Sequence, residues 1–336
     1  MTLPLGNRKA WDFMKCIVSF LVFATSFAGV QVAAQTKRPS ILGVAHIAYY
    51  VSDLNKARSY YEDFLGFKEA FALKNADGSD HAAFVKINDH QFIELIAEPP
   101  KNHGFLHDVG FETDDISGMR SYLASIGVKV PDSVSKNDAG NLAFDITDPF
   151  GFDIQIVQYE PHSLTSRTKG TFTHDSRDLR ISTHIDHVGL LVGDRDQAAK
   201  FYGDAFGFVR EADGTKMKID DSTDRFELGF ERKPPTIDRY HVKDHICLSV
   251  PDVPAVTSML SAKPAANTFR EIENHQLGNG KHVAELYDLD GNRVELMEPP
   301  KTEKSTTSKG LGTDITRESE ASAANGAAPA QRARSK

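Results

Sequence analysis

Four side chains in the second half of the chain are of types that hold divalent metal ions: His187, Glu227, His245 and Glu295. Two neutral imidazoles with one carboxylate make a facial set that leaves coordination positions open, as in non-haem iron(II) sites. A second carboxylate makes a harder site, suited to Mn2+, Fe2+, Ni2+ or Zn2+ with bound water. Singly, each residue is ordinary, since a histidine opening a strand is often an edge residue and a strand Glu often faces water. Their joint placement carries the inference. His187 and His245 open the runs HVGLLV and HICLSV, and Glu227 and Glu295 sit in FEL and VEL. Strand side chains alternate with period two, so equivalent positions in equivalent strands face alike. If those strands wrap one cleft, all four side chains meet at its centre.

The elements that must position them repeat. Residues 41–161 and 182–300 are two copies of one pattern. His46 matches His187, Tyr61 matches Tyr202 and Gly66-Phe67 matches Gly207-Phe208 at an offset of 141, while Asp148 matches Asp288 and Gln155 matches Glu295 at 140. HIAYYV and HVGLLV read as strands. Asp53 and Asp194 precede helically spaced apolar residues (Leu54, Ala57, Tyr61, Phe64; Ala198, Phe201, Ala205), with Gly66 and Gly207 where a terminating glycine belongs. QFIELI and RFELGF follow as strands. Within each copy the pattern runs again, from DVGFETDDISGMRSYLASIG and from HICLSVPDVPAVTSMLS, and ends on a tight DPFG or DLDG turn and a last strand. The predicted fold is α+β: two tandem domains, each of paired βαβββ modules forming an open, cup-shaped sheet.

The first copy is an internal control. Its equivalents are His46, Glu94, Asp108 and Gln155. Asp108 replaces the second histidine, with His107 one residue earlier and on the opposite face if the register holds. Gln155 replaces the last carboxylate with an uncharged amide, so this site should bind metal weakly or not at all.

The ends are of different character. Residues 1–34 have a basic start (Arg8, Lys9, Lys15), an apolar stretch CIVSFLVFATSFAGVQV and small residues Val32-Ala33-Ala34 at a cleavage position. That is the plan of an export signal, either cleaved or retained as a membrane anchor; cleavage, favoured by the short apolar core and the small residues, would leave the mature protein in the periplasm or outside the cell without stable membrane association. Residues 162–181 are polar and read as a linker, and residues 301–336 as a disordered tail with too little apolar surface to fold.

Composition bounds the rest. The 336 residues carry 39 Lys+Arg against 47 Asp+Glu, a net charge of −8, which argues against a nucleic-acid partner. Cys16 and Cys247 are too few for a disulfide framework, and Cys247, on the same strand face as His245, reads as a buried structural thiol. No GxSxG, GxxxxGK[ST] or phosphate-binding GxGxxG is present. A small-molecule substrate is expected, and four modules close two cups within one chain, so a monomer or a homodimer would serve.

The openings DHVGLLV…KFYGDAFGF and HICLSVPDV and the ending DLDGNRVELMEPP resemble the vicinal-oxygen-chelate superfamily, over nearly all of 41–161 and 182–300. That superfamily includes glyoxalase I, extradiol ring-cleaving dioxygenases and fosfomycin- and bleomycin-resistance proteins. The resemblance to tandem extradiol dioxygenases implies a decayed first domain and an active second one, with His187, His245 and Glu295 on iron(II), the first-ranked metal. Those enzymes also place a tyrosine before the last ligand; here Glu285 stands ten residues before Glu295, Tyr287 two further on, and His275 and His282 nearby. Glu285 and Tyr287 are thus the candidate acid/base helpers. The resemblance to glyoxalase I-like isomerases and lyases carries four ligands onto His187, Glu227, His245 and Glu295, with Glu227 as ligand or proton-transfer base. The third implied role is metal-free sequestration, as in the bleomycin-resistance members, with Tyr49, Tyr50 and Phe111 lining the first cup.

Overall fold

The computed structural model describes residues 37–100, 105–172, 179–220, 222–230, 244–278 and 280–299. The export signal read at 1–34 and the tail read at 301–336 lie outside the described residues. No helix among the described residues is long and apolar enough to cross a membrane.

Sixteen described strands form two sheets of eight, one in each half. The first comprises β1 (Gly43–Tyr50), β2 (Lys68–Lys74), β3 (Asp80–Lys86), β4 (Phe92–Ile96), β5 (Leu106–Glu112), β6 (Ser135–Lys136), β7 (Leu142–Thr147) and β8 (Asp153–Gln158). The second comprises β9 (Ile185–Val192), β10 (Val209–Arg210), β11 (Lys216–Lys218), β12 (Arg225–Phe230), β13 (His245–Ser249), β14 (Glu273–Gln276), β15 (His282–Tyr287) and β16 (Arg293–Met297). Strand order is β2-β3-β4-β1-β5-β8-β7-β6 in one and the corresponding β10-β11-β12-β9-β13-β16-β15-β14 in the other. Each half is therefore two βαβββ modules joined between their first strands, which are antiparallel (β1 with β5, β9 with β13). The first strand of each module also pairs in parallel with its last. This is the predicted α+β architecture of two tandem curled sheets.

The helices begin where the sequence places caps. Asp53 caps α1 (Leu54–Arg58) and Asp194 caps α4 (Arg195–Phe206), each accepting two backbone N–H groups, a cap of about 1 kcal/mol. Asp115 caps α2 (Ile116–Ser125) and Asp252 caps α5 (Val253–Ser261). Gly207 ends α4 in the left-handed region at φ 73°, whereas α1 widens into a π turn at Ser59–Phe64.

Alternation sorts the strand residues. Ile47, Tyr49 and Val51 of one half and Val188, Leu190 and Val192 of the other belong to one apolar core that spans both halves. In it Phe111 of the first half packs against Phe206, Phe208 and Phe226 of the second. Tyr49 and Phe111 therefore do not line the first cup, as their aromatic character suggested; an odd offset, three residues from His46 for Tyr49 and one from Gly110 for Phe111, turns each to the core side. Tyr50, on the other face, does belong to the cup.

The segment read as a linker is partly structured. A short helix α3 (Leu164–Arg167), capped by Ser163, follows β8. Leu164 and Tyr159 pack onto Ala48, Tyr50, Phe84 and Phe92 on the concave face of the first sheet. The fully buried Lys86 ammonium donates to the carbonyls of Thr168 and Thr171 and pairs with Asp89, fixing this covering segment. A polar sequence concealed these contacts because they are made by a few apolar residues and by backbone carbonyls.

Candidate metal centre

The concave face of the first sheet carries an apolar cluster around Tyr50, Phe84 and Phe92; that of the second carries a group of histidines and carboxylates. His187 (β9), Glu227 (β12), His245 (β13) and Glu295 (β16) rise from neighbouring strands, while the residues between them, Val188, Phe226, Ile246, Val294 and Leu296, enter the core. Nε2 of His187 and Nε2 of His245 approach to 3.1 Å. Glu227 Oε2 lies 3.2 Å from His187 Nε2, and the Glu295 oxygens lie 3.8 Å from His187 Nε2 and 4.0 Å from His245 Nε2. One donor atom each from His187, His245 and Glu295 falls within 4.8 Å of the others, and all three residues are buried.

Glycine makes room for this. A Cβ on Gly189 would stand 2.1 Å from the His245 ring, and one on Gly110 would stand 2.1 Å from the His46 ring. The glycine in the HVGLLV run thus holds the histidine of the adjacent strand flat on the sheet.

The surroundings set protonation. His187 Nδ1 is 2.8 Å from Asp186 Oδ2, an arrangement that holds the ring and turns Nε2 toward His245. Burial opposes a positive His187, but its polar neighbours outweigh burial and raise its pKa well above the usual value. The Cys247 thiol, pushed up to about 12 by burial, is neutral at pH 7, so the opposing charge comes from Asp186 and Glu227. Burial, with the Arg293 and His187 charges, lowers His245 to about 4 and keeps it a neutral donor. Despite burial, Glu227 is held well below the carboxylate range by His187, His245 and Lys216. The carboxylates that favour positive charge on His187 favour a divalent cation at the same point. Two imidazole nitrogens converging with Glu oxygens in a buried polar cup fit such an ion.

The helper residues lie beside this cluster. Glu285 faces Glu295 across β15 and β16, and the Tyr287 hydroxyl donates to Glu285 Oε2 at 2.7 Å. Arg293 Nη2 donates to both Glu285 Oε1 (2.8 Å) and Glu295 Oε2 (2.7 Å). His275 Nε2 stays 3.9 Å from Glu285, and His282 turns to Glu298 instead. Sequence reasoning did not single out Asp186, Lys216 or Arg293. Lys216 stands opposite Glu227 on β11, with its ammonium 3.2 Å from His187 Nδ1 and 3.7 Å from Glu227 Oε2. Parity was the available signal for Arg293, two residues from Glu295; Asp186, next to His187, reaches the ring only because a bulge opposite Cys247 and Leu248 breaks the alternation there.

The first cup holds a different arrangement. His46 Nε2 pairs with Asp108 Oδ1 at 2.9 Å, and Gln155 donates to Asp145. His107 is not turned away as strict alternation required. A bulge between Ala48 and Tyr49 breaks the register, and His107 Nδ1 lies 2.5 Å from Asp108 Oδ2. Tyr159 and Thr165 close over this group, leaving a void of about 10 Å³, room for one water.

The chain belongs to the Glyoxalase/Bleomycin resistance protein/Dioxygenase superfamily, whose family model matches residues 43–156 and 184–296, one repeat each. Among solved structures it is similar to an extradiol ring-cleaving dioxygenase from B. fuscum (18% identity, TM-score 0.57, covering 79% of this chain and 73% of that one). It is likewise similar to homoprotocatechuate 2,3-dioxygenase from Brevibacterium fuscum in complex with 3,4-dihydroxyphenylacetate (18%, TM-score 0.56, 79% and 82%). Homoprotocatechuate 2,3-dioxygenase from Arthrobacter globiformis gives 16%, 0.57, 79% and 81%. At these identities the likeness is one of fold. No curated protein matches the chain.

Proposed function

We propose that the protein is a divalent-metal-dependent enzyme of this superfamily with its working site in the second half, of the extradiol ring-cleaving type. The observation that supports this best is the convergence of His187, His245 and Glu295 within 4.8 Å on a polar concave face. In this reading these three residues hold iron(II), with Mn2+, Ni2+ and Zn2+ as the alternatives. When bound, the ion supplies a Lewis-acid anchor for two adjacent substrate oxygens. Asp186 fixes the His187 tautomer. Glu227, 26% exposed at its side chain and ionised, accepts a proton from the incoming substrate hydroxyl. Tyr287, donating to Glu285, stands ready to return one. The first half carries no chemistry in this reading, because the His46–Asp108 ion pair and the covering segment fill its cup.

One observation favours a second reading. Glu227 lies 3.2 Å from His187 Nε2, near enough to act as a fourth ligand, as in a glyoxalase-like isomerase or lyase. Elemental analysis after anaerobic purification, followed by oxygen uptake with 3,4-dihydroxyphenylacetate and simple catechols, separates the readings. Stoichiometric iron with oxygen consumption supports ring cleavage. Bound metal without oxygen uptake supports the isomerase or lyase, and a protein that binds no metal returns the account to sequestration. We further infer export to the periplasm or medium from residues 1–34, checked by N-terminal sequencing of the secreted form.

A further inference from the structure

We propose that Arg293 is a positioning residue that leaves Glu295 a single free oxygen at the metal centre; this rests on reading His187, His245 and Glu295 as the ligands. Arg293 and Glu295 are two residues apart on β16, so both rise from the concave face. Glu285 and Glu295 stand directly opposite each other on β15 and β16, a like-charge pairing that destabilises a sheet unless bridged. Arg293 Nη2 is that bridge, at 2.8 Å from Glu285 Oε1 and 2.7 Å from Glu295 Oε2. The residue is 9% exposed, so water does little to weaken these charge-assisted bonds. Glu285 is held in turn at its other oxygen by the Tyr287 hydroxyl.

The consequence concerns which oxygen of Glu295 is available. Both oxygens face the histidines, Oε1 at 3.8 Å from His187 Nε2 and Oε2 at 4.0 Å from His245 Nε2, but Oε2 is engaged by the guanidinium and Oε1 is not. A carboxylate offered through one oxygen takes one coordination position where both oxygens would take two. The position saved is one a substrate with two adjacent oxygens needs. The first half shows the alternative: Asp153 stands where Arg293 does, and Gln155 donates straight to Asp145 at 3.1 Å. The arginine and the last acid are present together in one half and absent together in the other.

Mn2+ is the probe for the test. Titration of the full chain gives its binding isotherm, and water-proton relaxation gives the number of waters on the bound ion. Arg293→Gln frees Oε2, so relaxation enhancement per bound Mn2+ should fall by roughly a third to a half, the share of one among the two or three open positions. Glu285→Gln leaves the Arg293–Glu295 contact in place and should keep the wild-type value. Equal enhancement in wild type and Arg293→Gln would overturn the proposal. Should Arg293→Gln not fold, the wild-type infrared difference spectrum with and without Mn2+ decides. The wide carboxylate splitting of one-oxygen binding, lost in Glu295→Gln, supports the proposal, and a narrow splitting overturns it. A wild-type protein that takes up no Mn2+ at all would sink the ligand assignment itself and this proposal with it, a failure visible in the isotherm alone.

Discussion

The Tyr202 hydroxyl, in the second half, donates to Asp148 Oδ2, in the first, at 2.9 Å in a buried position. The repeat returns the contact: Tyr61 of the first half donates to Asp288 of the second at 3.4 Å. The repeat thus pairs each helix tyrosine with the turn aspartate of the other half, which ties the two sheets into one compact unit. Tyr202→Phe keeps the ring packing and leaves Asp148 Oδ2 without this donor, a cost of about 1–3 kcal/mol. Thermal unfolding should show a drop of several degrees, larger than for Tyr61→Phe, whose hydrogen bond is longer. Equal melting of wild type and Tyr202→Phe would show that the hydroxyl contributes nothing.

Stability should also depend on pH through the first cup. Burial raises Glu94 to about 7 from its ordinary 4.5. Between those values the folded state binds more protons than the unfolded one, so stability falls as pH rises through that window and levels off above it. Asp288, raised to about 6 by burial, acts in the same direction. Glu94→Gln cannot titrate and should reduce the slope without removing it, gaining on the order of 1–2 kcal/mol over wild type at pH 8 relative to pH 5. Denaturant melts at the two pH values measure this; parallel behaviour of the two proteins would contradict the raised pKa.

Two glycines allow a paired comparison. Gly189→Ala and Gly110→Ala each place a methyl group against a histidine ring, that of His245 or of His46. Both should destabilise by about 1–3 kcal/mol through overpacking. Only Gly189→Ala should also weaken metal uptake, because only the ring it displaces is a ligand. Equilibrium dialysis against a divalent ion reads the difference, and equal uptake by both variants would contradict the assignment.

How far the sequence could be read depended on period. The runs HVGLLV, HICLSV and RVELM alternate cleanly, and their registers place His187, His245 and Glu295 on one face as parity demands. Capping at Asp53 and Asp194 was equally plain, since it needs only neighbouring residues. What escaped was whatever a single break or a distant contact decides. One bulge reversed the expected facing of His107, and a few residues after β8 closed the first cup. Arg293 was overlooked because a charge on a strand ordinarily means solvent, and only the tertiary fold brings Glu285 and Glu295 to either side of it.

The central claim is that the second half alone holds the metal. Its most direct test is metal content by elemental analysis of anaerobically purified wild type, His245→Ala and His46→Ala. The account predicts one divalent ion per chain in wild type and in His46→Ala, and almost none in His245→Ala. Full metal content in His245→Ala, or loss of metal in His46→Ala, would contradict it.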